Sequence, residues 1–230
     1  VNCAAFTAVD KAEDQPELAH LLNAVAPGEL AIAAQEVGAS MIHVSTDYVF
    51  DGTAHLPYTE NEMPCPNTVY GITKLEGERA VLDHCDNSVV IRTAWLYSTF
   101  GNNFVKTMIH LGEERDSLGV VFDQIGTPTY ANDLACAIFT IINKGIVRGV
   151  YHFSDEGVCS WYDFTVAIHR MTDIFTCKVK PLHTAEYPAK AKRPAYSVLD
   201  KTKIKTTYDI EIPHWEDSLR RCLTKIIMKN

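Results

Sequence analysis

The chain has 230 residues, 47% apolar and 22% charged, with a formal net charge of −8. That length buries a sizeable core, as one large domain or two small ones, and the negative balance argues against nucleic acid or an anionic membrane as the main partner. No apolar run approaches the roughly 18 residues of a spanning helix, and no signal-peptide pattern opens the chain. Seven scattered cysteines without a C-x-x-C pair, and nine histidines without ligand spacing, suggest reduced cytoplasmic thiols and no metal site.

Val1 to Ala5 reads as the end of a buried strand. Its small residues Ala4 and Ala5 let backbone approach a ligand, although tight strand–helix packing explains them equally well. Thr7 offers a hydroxyl nearby. Glu17 to Val37 is apolar at helical spacing and stops at Gly38. Pro27-Gly28 interrupts it, giving a kink or two consecutive pieces. Met41 to Val44 suits a buried strand and ends in the polar step Ser45-Thr46-Asp47, where an α/β sheet presents side chains to a ligand. A loop rich in Gly, Pro, Asn and Asp leads to a helix from about Thr68 to His84. Val89 to Ile91 is a further buried strand, so the alternation implies a parallel, doubly wound sheet.

Beyond Tyr97 the pattern changes. A helix begins near Phe104, with Met108 and Leu111 on the same face, and a short strand follows at Val120 to Phe122. Ala131 to Ile142 reads as a core-facing helix and Val150 to Phe153 as a strand. Ser160 is placed to N-cap a helix through Met171. Cys177 to Leu182 suits a strand, Pro188 to Leu199 a Pro- and Lys-rich loop, and His214 to Met228 a closing amphipathic helix.

The chemistry concentrates between Thr46 and Lys74. Tyr70 and Lys74 stand i, i+4 on one helix, so their side chains share a face. An ammonium beside a phenol favours the phenolate and draws the tyrosine pKa down from about 10. Such a tyrosine exchanges a proton with an alcohol or ketone oxygen, and a hydroxyl at Thr46 can hold the same oxygen. A solvated helix face explains the pair alone; the hydroxyl step at the strand end argues for a Ser/Thr–Tyr–Lys site.

The run STDYVFDG, then YTE, then P-N-T-V-Y-G-x-T-K-L-E-G-E resembles the extended short-chain dehydrogenase/reductases, and within them the branch that completes dTDP-L-rhamnose. The resemblance covers nearly the whole chain. It implies a Rossmann-type doubly wound parallel sheet, lacking its N-terminal strands, over 1–95 and 124–153. A smaller α-rich substrate lobe would take 96–123 and 154–230. It implies NADPH, or NADH, reducing the C4 ketone of dTDP-4-dehydro-6-deoxy-L-mannose, with Tyr70 as acid, Lys74 keeping Tyr70 acidic and Thr46 on the same oxygen. Ala4, Ala5, Thr7, Ser45, Tyr70 and Lys74 would line the cofactor. Asp47, Tyr48, Trp95, Asn103, Gln124 and Arg193 would meet the nucleotide sugar, through the segments R-T-x-W-x-Y, G-x-N-F and D-Q-x-G-x-P-T and the loop around Arg193. Asn23 resembles a helix asparagine near the family's proton-relay site, although a satisfied polar residue is the commoner explanation. A homodimer is a further expectation.

The family's glycine-rich phosphate turn has no counterpart in the sequence, so the chain reads as a fragment missing its first strands. Two alternatives stay open. One is a nucleotide-sugar epimerase or dehydratase, although a dehydratase would show Thr-Asp-Glu where this chain has Thr46-Asp47-Tyr48. The other is a non-catalytic reductase-like regulatory subunit of methionine adenosyltransferase.

Overall fold

The computed structural model describes residues 1–228. The chain opens with α1 (Val9–Ala12), α2 (Pro16–His20), α3 (Ala26–Glu36), β1 (Met41–Thr46), α4 (Val69–His84) and β2 (Ser88–Thr93). It continues through β3 (Leu96–Tyr97), α5 (Phe104–Glu114), β4 (Ser117–Val121), β5 (Ile125–Gly126), β6 (Thr129–Tyr130) and α6 (Ala131–Lys144). Then come β7 (Gly149–His152), β8 (Cys159–Ser160), α7 (Trp161–Met171), β9 (Lys178–Leu182), α8 (Thr202–Tyr208) and α9 (Trp215–Ile227). No helix among the described residues is long and apolar enough to cross a membrane.

Two compact units result. The first takes Val1–Thr93, Ala137–Phe153 and Ala189–Ile210; the second takes Ala94–Cys136, Ser154–Pro188 and the chain from Glu211. This division differs from the expected one at 94–95, 124–136 and 189–210. The 129–130 strand pairs with β3, and the Tyr130 N–H donates to Asp155 at 3.0 Å, which ties it to the second unit. A parallel bridge between Tyr58 and Leu199 and an ion pair from Arg193 to Asp10 tie 189–210 to the first.

In the first unit β1, β2 and β7 form a parallel sheet in that order, in register from Met41↔Ser88 to Thr46↔Thr93. Asn2 bridges His43 in parallel, its N–H donating to the Ile42 carbonyl at 2.8 Å. Nearly every residue of β1 and β2 is buried, as strands covered on both faces require. The crossover between them is α4, capped by Thr68, whose hydroxyl accepts the Gly71 N–H at 3.0 Å. Two of its glycines are fixed by close approach. A Cβ at Gly71 would sit 2.2 Å from the Tyr48 carbonyl oxygen, and one at Gly77 would sit 2.0 Å from that of Asn23.

The 17–37 stretch does not break at Pro27-Gly28. A π-helical turn at Leu21–Val25 precedes α3, and Pro27 falls in its first turn. There the missing N–H leaves no helical bond unmade, so the irregularity precedes the proline rather than following it.

The second unit is held by an aromatic core that includes Tyr97, Phe164 and Trp215. Its strands pair β4 with β9 in parallel and β5 with β8 antiparallel. Ser160 caps α7 in a full capping box with Asp163.

Candidate active site

Thr46 ends β1 and caps the short turn that follows: its Oγ accepts the Tyr48 N–H at 3.3 Å and donates to Asp47 Oδ1 at 3.0 Å. Gly71, by admitting the Tyr48 backbone, brings the start of α4 against this turn. Tyr70 is buried there, its ring edge-on to Tyr48 at 5.4 Å between centroids. Burial raises the Tyr70 phenol pKa, and a hydrogen bond with Thr46 opposes the rise. Tyr70 is thus buried beside the turn that Thr46 caps.

Lys74 departs from expectation. It is 1% exposed, and its Nζ donates to the Val44 carbonyl at 2.7 Å and lies 3.3 Å from His43 Nε2. Its nitrogen is taken up by β1, and burial raises the Tyr70 phenol where the i, i+4 spacing suggested a lowering. Sharing a helix face is necessary for that effect and does not suffice, because Lys74 turns onto β1. Burial lowers the Lys74 pKa to about 8, opposed by Glu78 and Cys3. Tyr70 is a protonated phenol across the neutral range, the state required of a proton donor.

Asp47 is the other perturbed group. Burial pushes its carboxyl up to about 6, with hydroxyls of Thr46 and Ser197 among the groups opposing the rise. Its Oδ2 has no hydrogen-bond partner. A buried acceptor left open beside two hydroxyls is a site for a donor from outside the chain.

The remaining expected residues fall into distinct groups. Ala4 and Thr7 are exposed and Ala5 half-buried, close in sequence to Asn2 on the sheet. Ser45 is committed elsewhere: its hydroxyl donates to Glu78 Oε1 at 2.5 Å, inside a buried ion pair of Glu78 with Arg92. Arg92, expected at the mouth, is thereby structural. Asn23 donates to Thr73 Oγ and is bonded at both the N–H and the carbonyl of Phe6, the satisfied-polar alternative. Arg193 pairs with Asp10 and donates to the Tyr48 hydroxyl at 3.1 Å, which brings the 188–199 loop to the site.

Trp95, Asn103 and Gln124 belong to the second unit. Trp95 stacks on Trp161 with centroids 3.5 Å apart and takes a left-handed backbone, φ 49°. That is strained for a bulky side chain, and strain of this kind gathers at functional sites. Asn103 caps α5, and Gln124 donates to Thr184 Oγ at 3.1 Å. Sequence reasoning missed His43, Asn2, Asp10 and Ser197, all of which act through partners distant in the chain.

The family model for the RmlD substrate binding domain matches residues 1–228. The chain belongs to this family. Among its relatives, a dTDP-4-dehydrorhamnose reductase of Sinorhizobium fredii is 42% identical over all of this chain and 80% of its own length. The crystal structure of a dTDP-4-dehydrorhamnose reductase from Clostridium acetobutylicum is 49% identical, with a TM-score of 0.94, covering 99% of this chain and 80% of that one. Another, from Bacillus anthracis in complex with NADP, is 41% identical with a TM-score of 0.94, covering 97% and 79%. The fold is thus the Rossmann-type α/β fold that the alternation of strands and helices implied, and the site lies on the stretch that carried the resemblance.

Proposed function

We propose that the chain reduces the C4 ketone of dTDP-4-dehydro-6-deoxy-L-mannose to dTDP-L-rhamnose with NADPH. The observation that carries this reading is the packing of the start of α4, with Tyr70 buried on it, against the turn that Thr46 caps at the end of β1, in a chain whose relatives bear that activity in their names. The residues fit the nicotinamide end of such a cofactor. Ala4 and Thr7 are small and exposed, and Lys74 and Tyr70 succeed one another along α4. When bound, NADPH supplies the hydride.

The chain's own residues do the rest. Thr46, its hydroxyl turned from Asp47 to the substrate, donates to the carbonyl oxygen, and Tyr70, kept protonated by burial, gives its proton to that oxygen as negative charge develops there. Asp47 Oδ2 accepts a hydroxyl of the sugar, which sets the ketone against Tyr70. Tyr48 and Arg193 form the adjoining wall. A dehydratase would need a second acid where Tyr48 stands, and intact Thr46, Tyr70 and Lys74 favour turnover over a regulatory subunit.

The test is direct. The chain mixed with NADPH and the ketosugar should consume NADPH and yield an equal amount of dTDP-L-rhamnose by chromatography. NADPH left unoxidised, with the ketosugar recovered intact, would overturn the reading.

A further inference from the structure

Helix α1 is only 4 residues long, yet carboxylates within it at Asp10 and at its end at Glu13 reach different walls of the site. Glu13 Oε1 accepts the Val69 N–H at 2.9 Å. Val69 opens α4 and immediately precedes Tyr70, so this bond serves one of the N–H groups that a helix start leaves without a partner. Thr68 serves another, at Gly71. Asp10 turns instead to the 188–199 loop. Its Oδ1 accepts the Ala191 N–H at 2.9 Å, and its Oδ2 accepts from Arg193 at 2.5 Å. A second nitrogen of the Arg193 fork donates to the Tyr48 hydroxyl at 3.1 Å. A guanidinium has no acceptor, so the Tyr48 oxygen must accept, and its own hydrogen stays available to donate. Between the two carboxylates, Ala12 is fully buried in one apolar cluster with Tyr70, and Tyr48 packs against that cluster.

We propose that Asp10 and Glu13 are positioning residues, and that α1 braces the two walls: Glu13 fixes the turn of α4 that carries Tyr70, and Asp10 fixes Arg193 against Tyr48. The chemistry of the two contacts differs. Glu13 meets a neutral peptide N–H, which an amide oxygen serves as well as a carboxylate does. Asp10 meets a guanidinium, a charged partner that a neutral amide answers poorly. Their consequences differ too. Tyr70 gives the proton, so a loosened start of α4 slows the chemical step. Tyr48 donates to the bound sugar before and during that step alike, so a freed Arg193 weakens binding and leaves the step itself. The roles of the two tyrosines rest on the proposed reduction, and the brace rests on the hydrogen bonds of Asp10 and Glu13.

Steady-state NADPH oxidation with the ketosugar tests it. Glu13→Ala should lower kcat about tenfold with KM within about twofold, and Glu13→Gln should bring kcat back to within about twofold of native. Asp10→Asn should raise KM about three- to tenfold with kcat nearly unchanged, the low end for a charged hydrogen bond because the pair is partly exposed. A native kcat in Glu13→Ala, a Glu13→Gln no better than Glu13→Ala, or a native KM in Asp10→Asn would overturn the inference. Amide hydrogen exchange needs no turnover. Val69 in Glu13→Ala and Ala191 in Asp10→Ala should each exchange at least about tenfold faster than in the native chain. If the alanine variants do not fold, Glu13→Gln and Asp10→Asn decide by the same kinetics, and a lowered kcat in the first or an unmoved KM in the second overturns the inference. A native chain inert toward the ketosugar overturns the proposed reduction, and exchange then decides the brace: native rates at either amide remove it. A chain that turns over, with native kcat in Glu13→Ala, keeps the reduction and loses the brace.

Discussion

Helix α4 and strand β1 meet in two successive polar rungs of opposite character. One is Glu78 against Ser45 and Arg92, with hydroxyl and guanidinium all donating to one carboxylate at 2.5–3.2 Å. Every charge there is answered. The other, one turn earlier on α4, sets the Lys74 nitrogen against a histidine nitrogen at 3.3 Å. The two lysine and glutamate positions are four residues apart on the helix, and His43 and Ser45 two apart on the strand, so each pair shares a face. The satisfied rung is scaffold. The one without a carboxylate, with Tyr70 a further turn along α4, is where perturbed groups gather.

Cutting each end of the stripe should separate the two roles. Tyr70→Phe removes one hydroxyl and should lower kcat for ketosugar reduction by about 10²–10⁴-fold, with KM nearly unchanged, in steady-state NADPH oxidation. Activity within a few-fold of native would dismiss Tyr70 as the acid. Glu78→Gln should do the reverse. It leaves a buried guanidinium without its countercharge and should reduce unfolding free energy by about 3–5 kcal/mol in urea titration. An unchanged urea midpoint would mean that the rung is not scaffold.

The candidate catalytic stretch was legible because its signals are local. A short β-branched run marked β1, the hydroxyl step marked its end, and i, i+4 spacing placed Tyr70 and Lys74 on one face. What the spacing could not reveal was where the lysine's nitrogen goes. Its partners are 30 and 31 residues away and come from a strand, not from the helix. The same holds for Arg92, whose burial against Glu78, 14 residues earlier, no local pattern shows. The return of 189–210 to the first unit depends on Asp10 and Tyr58, contacts no local pattern encodes.

Asp47 extends the contrast, since its open oxygen should make the native chain less stable at neutral pH. Its folded pKa, about 6, lies above the ordinary aspartate value of about 3.9. A group raised in this way stabilises the fold at pH below the unfolded value and loses that contribution as pH rises through the folded one. Native stability should therefore fall between about pH 4 and pH 6 on this account. Asp47→Asn keeps the shape and drops the charge, so it should gain ~1–2 kcal/mol over native at pH 7.5 and almost nothing at pH 4. Urea midpoints at the two pH values decide it. A variant destabilised equally at both would show that Asp47 belongs with Glu78 among the scaffold groups.

The smallest effect calibrates the others. The Ser160–Asp163 capping box of α7 is a complete polar motif in the second unit: Ser160 Oγ accepts the Asp163 N–H at 3.0 Å, and the Asp163 carboxylate accepts the Ser160 N–H at 3.0 Å. It holds no buried charge and has no part in the proposed chemistry. Ser160→Ala leaves one helix-terminal N–H without its side-chain acceptor, and such caps are worth about 1 kcal/mol. Unfolding free energy should drop by that amount in urea, with no change in kcat. The loss should be the same at pH 6 and pH 8, because serine does not titrate. If Ser160→Ala instead altered kcat, α7 and Trp161 at its first position, on which Trp95 stacks, would be part of the working site. The line between scaffold and chemistry would then have to be drawn through the second unit as well.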